Sequence, residues 1–204
     1  MSKAALISIK PEWVAKILNG EKTIEVRKTA PKLETPFKCY IYCTKDKKYT
    51  IAPIRFVEGW FVKKYDETTH YANGCTWNKK DDLNGKVVAE FTCTKIHKVD
   101  NKGSQFSINN DMALTNRIGA RSRLNFDDMK HYLGTKDGYA WEIENIKFYD
   151  QPKGLSEFKY SCRDDHACNL CKYLTVASWD KGNTSCGAFV RRPPQSWCYV
   201  EEID

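Results

Sequence analysis

The first part of the chain changes its hydrophobic period twice within a few residues. Leu6-Ile7-Ser8-Ile9 is a short, mostly apolar run that predicts a buried strand. Pro11 follows, and Trp13, Val14, Ile17 and Leu18 recur at helical spacing. This predicts a helix from Pro11 to about Asn19, with proline at its first turn and Gly20 as its stop. In Thr23-Ile24-Glu25-Val26-Arg27 the period drops to two, which turns Ile24 and Val26 to the core and sets Thr23, Glu25 and Arg27 on the opposite face.

Further along, strand patterns dominate. Phe37 to Thr44, with Cys39-Tyr40-Ile41-Tyr42-Cys43 at its centre, suits a pleated surface. The turn pair Asn84-Gly85 introduces a strand from Lys86 to Thr94, and another runs from Tyr139 to Tyr149. Between them, Asn125 is a helix N-cap, Leu124 and Met129 a hydrophobic staple, and Gly134 the stop. The aromatic stretch from Tyr49 to Trp77 has no clear period, and residues 49–84 read as an insertion. The break at Gln151-Pro152-Lys153-Gly154 divides a domain of residues 1–150 from a cysteine-rich extension, residues 151–204. Few short helices among many strands predict an α+β fold built on a small mixed β-barrel.

Composition narrows this picture. The 204 residues are 41% hydrophobic and 29% charged, as in ordinary folded proteins, and no stretch approaches the roughly 20 apolar residues of a bilayer span. The N-terminus lacks a signal-peptide pattern, so a cytoplasmic protein with no membrane partner is expected. The net charge is +7. Residues 151–204 are neutral, with seven basic and seven acidic groups, so the whole excess lies in residues 1–150. A basic domain draws phosphates, although the same charge also serves plain solubility.

Candidate chemistry concentrates in Gly20-Glu21-Lys22-Thr23-Ile24-Glu25-Val26-Arg27. Lys22 is a compact cation suited to a phosphate or an oxyanion, and Arg27 offers a planar fork for bidentate contacts or stacking. Glu25 can accept hydrogen bonds from a base edge, or act as a general base if burial raises its pKa. The plainer reading keeps Glu25 and Arg27 as a supporting same-face pair and Lys22 as a solvated turn residue. Ser8 and Lys10, at the end of the first strand, are secondary ligand-binding candidates.

The constellation Gly20-x-Lys22-x-x-Glu25-x-Arg27, preceded by the Leu-Ile-Ser-Ile-Lys strand and the Pro11 helix, resembles the signature of ASCH domains. Gly85-Lys86-Val87-Val88-Ala89-Glu90-Phe91 and Gly138-Tyr139-Ala140-Trp141-Glu142-Ile143 are similar to that family's later strands. The resemblance implies a PUA-like β-barrel with flanking short helices over residues 4–150, and a basic cleft that binds RNA or a modified nucleobase or nucleotide. It also leaves room for an enzyme, a hydrolase on the same cleft. This would be either an N4-acetylcytidine amidohydrolase or a ribonuclease, with Lys22 and Glu25 as the catalytic candidates. In the amidohydrolase branch a lysine, a threonine and a separate glutamate carry the chemistry; Lys22 matches the lysine, but Glu25 stands in the threonine's place.

The remaining polar features are less specific. His70, His97 and His131 sit in no recognisable motif and read as ordinary surface or packing residues. Arg117, Arg121, Arg123 and Lys130 form a basic run that is either a solvated face or the extension of a nucleic-acid path. The aromatics of the insertion serve core packing or base stacking, and a protein partner at that segment stays open.

Nine cysteines without a signal peptide argue against a disulfide scaffold. Cys162-x5-Cys168-x2-Cys171-x14-Cys186 can close a tetrahedral thiolate site for a structural zinc ion, with His166 as a substitute ligand. Cys198 lies instead in Pro193-Pro194-Gln195-Ser196-Trp197-Cys198-Tyr199-Val200, the approach to a last strand, where it packs rather than ligates. This ending resembles a subgroup of ASCH proteins common in phages and prophages.

Overall fold

A computed structural model describes residues 2–47, 49–53, 60–64, 83–103, 105–161 and 185–203. Within them the chain forms β1 (Lys3–Ile9), α1 (Pro11–Leu18), β2 (Ile24–Arg27), β3 (Phe37–Cys43), β4 (Tyr49–Pro53), β5 (Trp60–Lys64), β6 (Val87–Asn101) and β7 (Phe106–Ser107). Then follow α2 (Met112–Ser122), α3 (Phe126–Leu133), β8 (Gly138–Lys153), β9 (Lys159–Ser161), β10 (Ser185–Phe189) and β11 (Trp197–Glu201). No helix among the described residues is long and apolar enough to cross a membrane.

One mixed sheet carries the fold, in the order β10-β9-β11-β1-β3-β6-β8-β2, with the short β7 on β6. Its pairs are antiparallel except for β1 and β3, which run parallel because α1 and β2 intervene between them in the chain. The β6–β8 ladder shifts register at three places, and bulges of this kind bend and coil long strands. The coiling brings β2, at one end of the order, round to β1: the Arg27 guanidinium donates to the Ser8 carbonyl at 2.7 Å. A side chain thus closes the barrel where no backbone ladder does.

Local sequence accounts for the helices. α1 has proline in its first turn, and Gly20 follows with φ 73°, a left-handed conformation that glycine adopts without cost. α3 has the full capping box between Asn125 and Asp128, and Leu124 and Met129 pack together on one apolar cluster as a staple would.

Three apolar clusters hold the layers together. The inner one gathers Ile7, Ile41, Phe91, Trp141 and Ile143 from the sheet with Val14 and Ile17 from α1, and Ile51 of the β4–β5 hairpin joins it. A second, on the other face, joins Leu6, Tyr40 and Val200 to Phe158 and Val190. The third seats α2 and α3 on β2 through Ile24, Val26, Ile118 and Leu133. The last strand was expected near Trp197, and it lies beside β1 at the heart of the sheet, with Leu6 opposite Cys198. Cys198 packs against the second cluster.

A candidate ligand site on strand β2

Alternation along β2 sorts its side chains as the period predicts. Ile24 and Val26 enter the α2–α3 cluster, while Glu25 and Arg27 take the other face. Both charged residues are 7% exposed, and Lys22, in the turn before the strand, is 2% exposed. The plainer reading of Lys22 as a solvated turn residue therefore does not hold: the turn folds its side chain inward, where it finds acceptors.

Glu25 sits between two cations. One carboxylate oxygen lies 3.3 Å from Lys22 Nζ and the other 3.0 Å from Arg27 Nε. The Arg27 Nε contact is an ion pair whose angle is too poor for a hydrogen bond. Lys22 also donates to the Ser122 carbonyl at 2.7 Å, and its ammonium stands 5.3 Å over the Trp13 ring, within cation–π range. Burial pushes the Lys22 pKa below its ordinary value, against the attraction of Glu25. Two buried cations sharing one carboxylate leave an excess positive charge in a desolvated place.

Aromatic rings wall this cluster. Trp141 is directly across the ladder from Glu25, and Tyr139 from Arg27, so both share their face. Trp141 is fully buried, its ring meets Phe37 and Trp197 edge-on at 6.0 and 5.9 Å, and its Nε1–H has no acceptor among the described residues. Trp197 of β11 is pinned by its own indole N–H, which donates to the Thr29 hydroxyl oxygen at 3.0 Å. Tyr132 of α3 stands on the far side of Arg27; burial raises its pKa and the guanidinium opposes that rise.

Beside the cluster runs a second polar chain. The Thr23 hydroxyl oxygen accepts from Arg121 Nε at 3.0 Å, Arg121 reaches Glu142 at 3.4 Å, and Glu142 meets His97 Nε2 at 2.7 Å. Burial works against the Glu142 charge, but the His97 hydrogen bond and the Arg121 guanidinium prevail and hold its carboxyl below the usual range.

The candidate residues are thus only partly brought together. Lys22, Glu25 and Arg27 form one cluster. Ser8 contributes its backbone carbonyl, while its hydroxyl donates to the Pro194 carbonyl at 2.7 Å. Thr23 belongs to the Arg121 chain. Lys10 is exposed, and its carbonyl accepts the first N–H groups of α1. Arg121 and His97 are tied into the Glu142 chain, whereas Arg117, Arg123, Lys130 and His131 are exposed. Cys162, Cys168, Cys171 and His166 lie outside the described residues, as do His70 and the Cys186 side chain. Among the described residues no group of three or more His, Cys, Asp or Glu side chains can hold a metal.

No protein-family model matches the chain. No curated protein matches it either. Its structure is similar to the crystal structure of ASCH from Zymomonas mobilis, with a TM-score of 0.50 and 17% identity over 98% of this chain and 88% of that one. Two variants of the same Zymomonas protein, a tyrosine-to-phenylalanine and a serine-to-alanine substitution, give TM-scores of 0.51 at 16% and 17% identity. At that identity the likeness concerns the fold: an α+β, PUA-like mixed barrel with short flanking helices, as the motif in the first strands leads one to expect.

Proposed function

We propose that this chain is an ASCH-type protein that binds RNA, or a modified nucleobase or nucleotide, between the Lys22–Glu25–Arg27 cluster and the rings of Trp13, Trp141 and Trp197. The observation that carries this reading is the buried, net-positive cluster with a fully buried indole N–H that has no acceptor among the described residues. Burying charge costs several kcal/mol per ion unless it is well compensated, and replacing such ions with apolar residues often stabilises a protein. A fold that keeps them beside an unmatched donor is arranged for a polar guest. A flat heterocycle fits: it offers acceptors to Trp141 Nε1 and Lys22, an edge to Glu25, and a π-face to the rings. A phosphate on the same ligand would answer the excess positive charge.

One observation favours the hydrolytic alternative. A lysine whose pKa burial lowers, next to a carboxylate, is a pair through which a proton can be passed. Incubation with N4-acetylcytidine and with labelled RNA tests both readings. Saturable, salt-sensitive binding that falls about tenfold or more in Lys22→Met and Arg27→Lys is the expected result. Release of acetate or cleavage of RNA, abolished in Lys22→Met, would make the protein a hydrolase. Binding that ignores both substitutions removes the cleft from the function.

A further inference from the structure

β2 has a second face. Opposite the ionic cluster, Val26 forms part of the floor of a groove of about 370 Å³ between α2 and α3, with Phe106, Ile118 and Met129 beside it. That is the size range of small-ligand pockets. At its rim Met112 is 55% and Phe126 42% exposed, unusual for side chains of that size. The groove is not purely apolar. The side-chain amides of Gln105 and Asn116 line it, and neither is engaged by another described residue. Lys130 Nζ stands 5.8 Å over the Phe126 ring, and Arg117 is exposed on the same α2 helix. Asp111 and Asp128 accept backbone N–H bonds as helix caps and Asp127 is exposed beside them, so carboxylates and cations alternate along these helices.

These features suit one kind of guest. An exposed ring offers a stacking face, free amides read donor and acceptor edges, and nearby cations hold phosphate. A purely hydrocarbon ligand would use neither the amides nor the cations, and a paired base has no free face to offer. We propose that the α2–α3 groove takes an unpaired base of the same RNA strand that the Lys22–Arg27 cluster engages, an inference that rests on the function proposed above. The two sites are joined mechanically. The C-terminal end of α2 is fastened to the turn before β2 by Lys22 to the Ser122 carbonyl, by Thr23 N–H to the Arg121 carbonyl at 3.0 Å, and by Arg123 to the Glu21 carbonyl at 2.8 Å.

Fluorescence anisotropy with a labelled single-stranded octaribonucleotide of mixed sequence tests this, with a blunt RNA duplex and an acidic leucine–glutamate peptide as competitors. Phe126→Ala should weaken binding about tenfold, in line with the loss of one stacked base. Asn116→Ala, at an exposed helix position, should weaken it severalfold without changing the melting temperature. The duplex should compete at least tenfold less well than unlabelled single strand. If both groove variants bind like wild type while Arg27→Lys is impaired, the groove proposal fails and the cleft reading survives. If the groove variants are impaired and Arg27→Lys is not, the proposal loses its shared strand and the cleft reading falls with it. Absence of RNA binding by the wild type overturns the groove proposal and leaves the cleft reading to a free nucleobase or nucleotide. A peptide that binds wild type but not Phe126→Ala, with no RNA bound, would assign the groove to a protein partner and also overturn the proposal.

Discussion

Glu25 has a larger share of the cluster's stability than either cation, because it alone neutralises both. Replacing it with Gln leaves Lys22 and Arg27 facing each other in a desolvated space, and losing one partner of a buried ion pair costs about 3–5 kcal/mol. Lys22→Met is the opposite case. Glu25 keeps Arg27, the desolvation cost of an ammonium that is 2% exposed disappears, and a flexible thioether fills a comparable volume. Thermal unfolding should therefore rank Glu25→Gln well below wild type and Lys22→Met at or above it. A Lys22→Met protein that melts lower by more than about 2 kcal/mol would mean that Lys22 is structural, kept for its bond to Ser122. Much of this residue-scale picture follows from period two alone: Glu25 and Arg27 share a face because Val26 lies between them. What period two cannot convey is that the sheet coils far enough for β1 to meet that face at Arg27, or that the turn before β2 folds Lys22 in against Trp13 and Ser122.

Among the α-helices, α2 was the one hidden in the sequence, where its arginines read as part of a basic run between two elements. Its apolar stripe is thin: Ile118 is buried, but Met112 is exposed and Leu114 only partly covered. One signal was present, the Asp111 side chain that accepts from Leu114 N at 3.0 Å as an N-cap. The His97–Glu142–Arg121 chain was equally out of sight, since it joins residues far apart in sequence that meet only when β6 and β8 are paired and α2 is docked. That chain should be visible in acid. Because the folded state holds the Glu142 carboxyl below its usual range, the group adds stability at pH above about 4, the ordinary carboxylate value, and loses it as the pH falls through the lower folded value. Arg121→Ala should cost about 1–2 kcal/mol at pH 7 and move the acid-unfolding midpoint to higher pH, with the gap to wild type narrowing as Glu142 takes up its proton. A constant gap from pH 7 to pH 2 in circular dichroism titrations would show that Arg121 acts only through its contact with Thr23.

For the whole molecule, the decisive pairing is that of β1 with β11, which aligns Lys3 with Glu201. Deleting residues 193–204 removes Trp197 from its contact with Trp141 and Val200 from the second cluster, and it leaves β1 with an unpaired edge beside apolar side chains. Such an edge is a template for aggregation, so the truncated chain should be recovered largely as aggregate by size-exclusion chromatography, with little cooperative melting. A monomeric, cooperatively melting product would show that β11 is an accessory. The same pairing also bears on time. β1 is translated well before β11, so during synthesis the central strand waits for a neighbour that emerges much later. Contacts so distant along the chain are slow to form, and the waiting intermediate presents bare strand and apolar surface meanwhile. This protein is therefore expected to depend on chaperones during translation more than its modest size suggests.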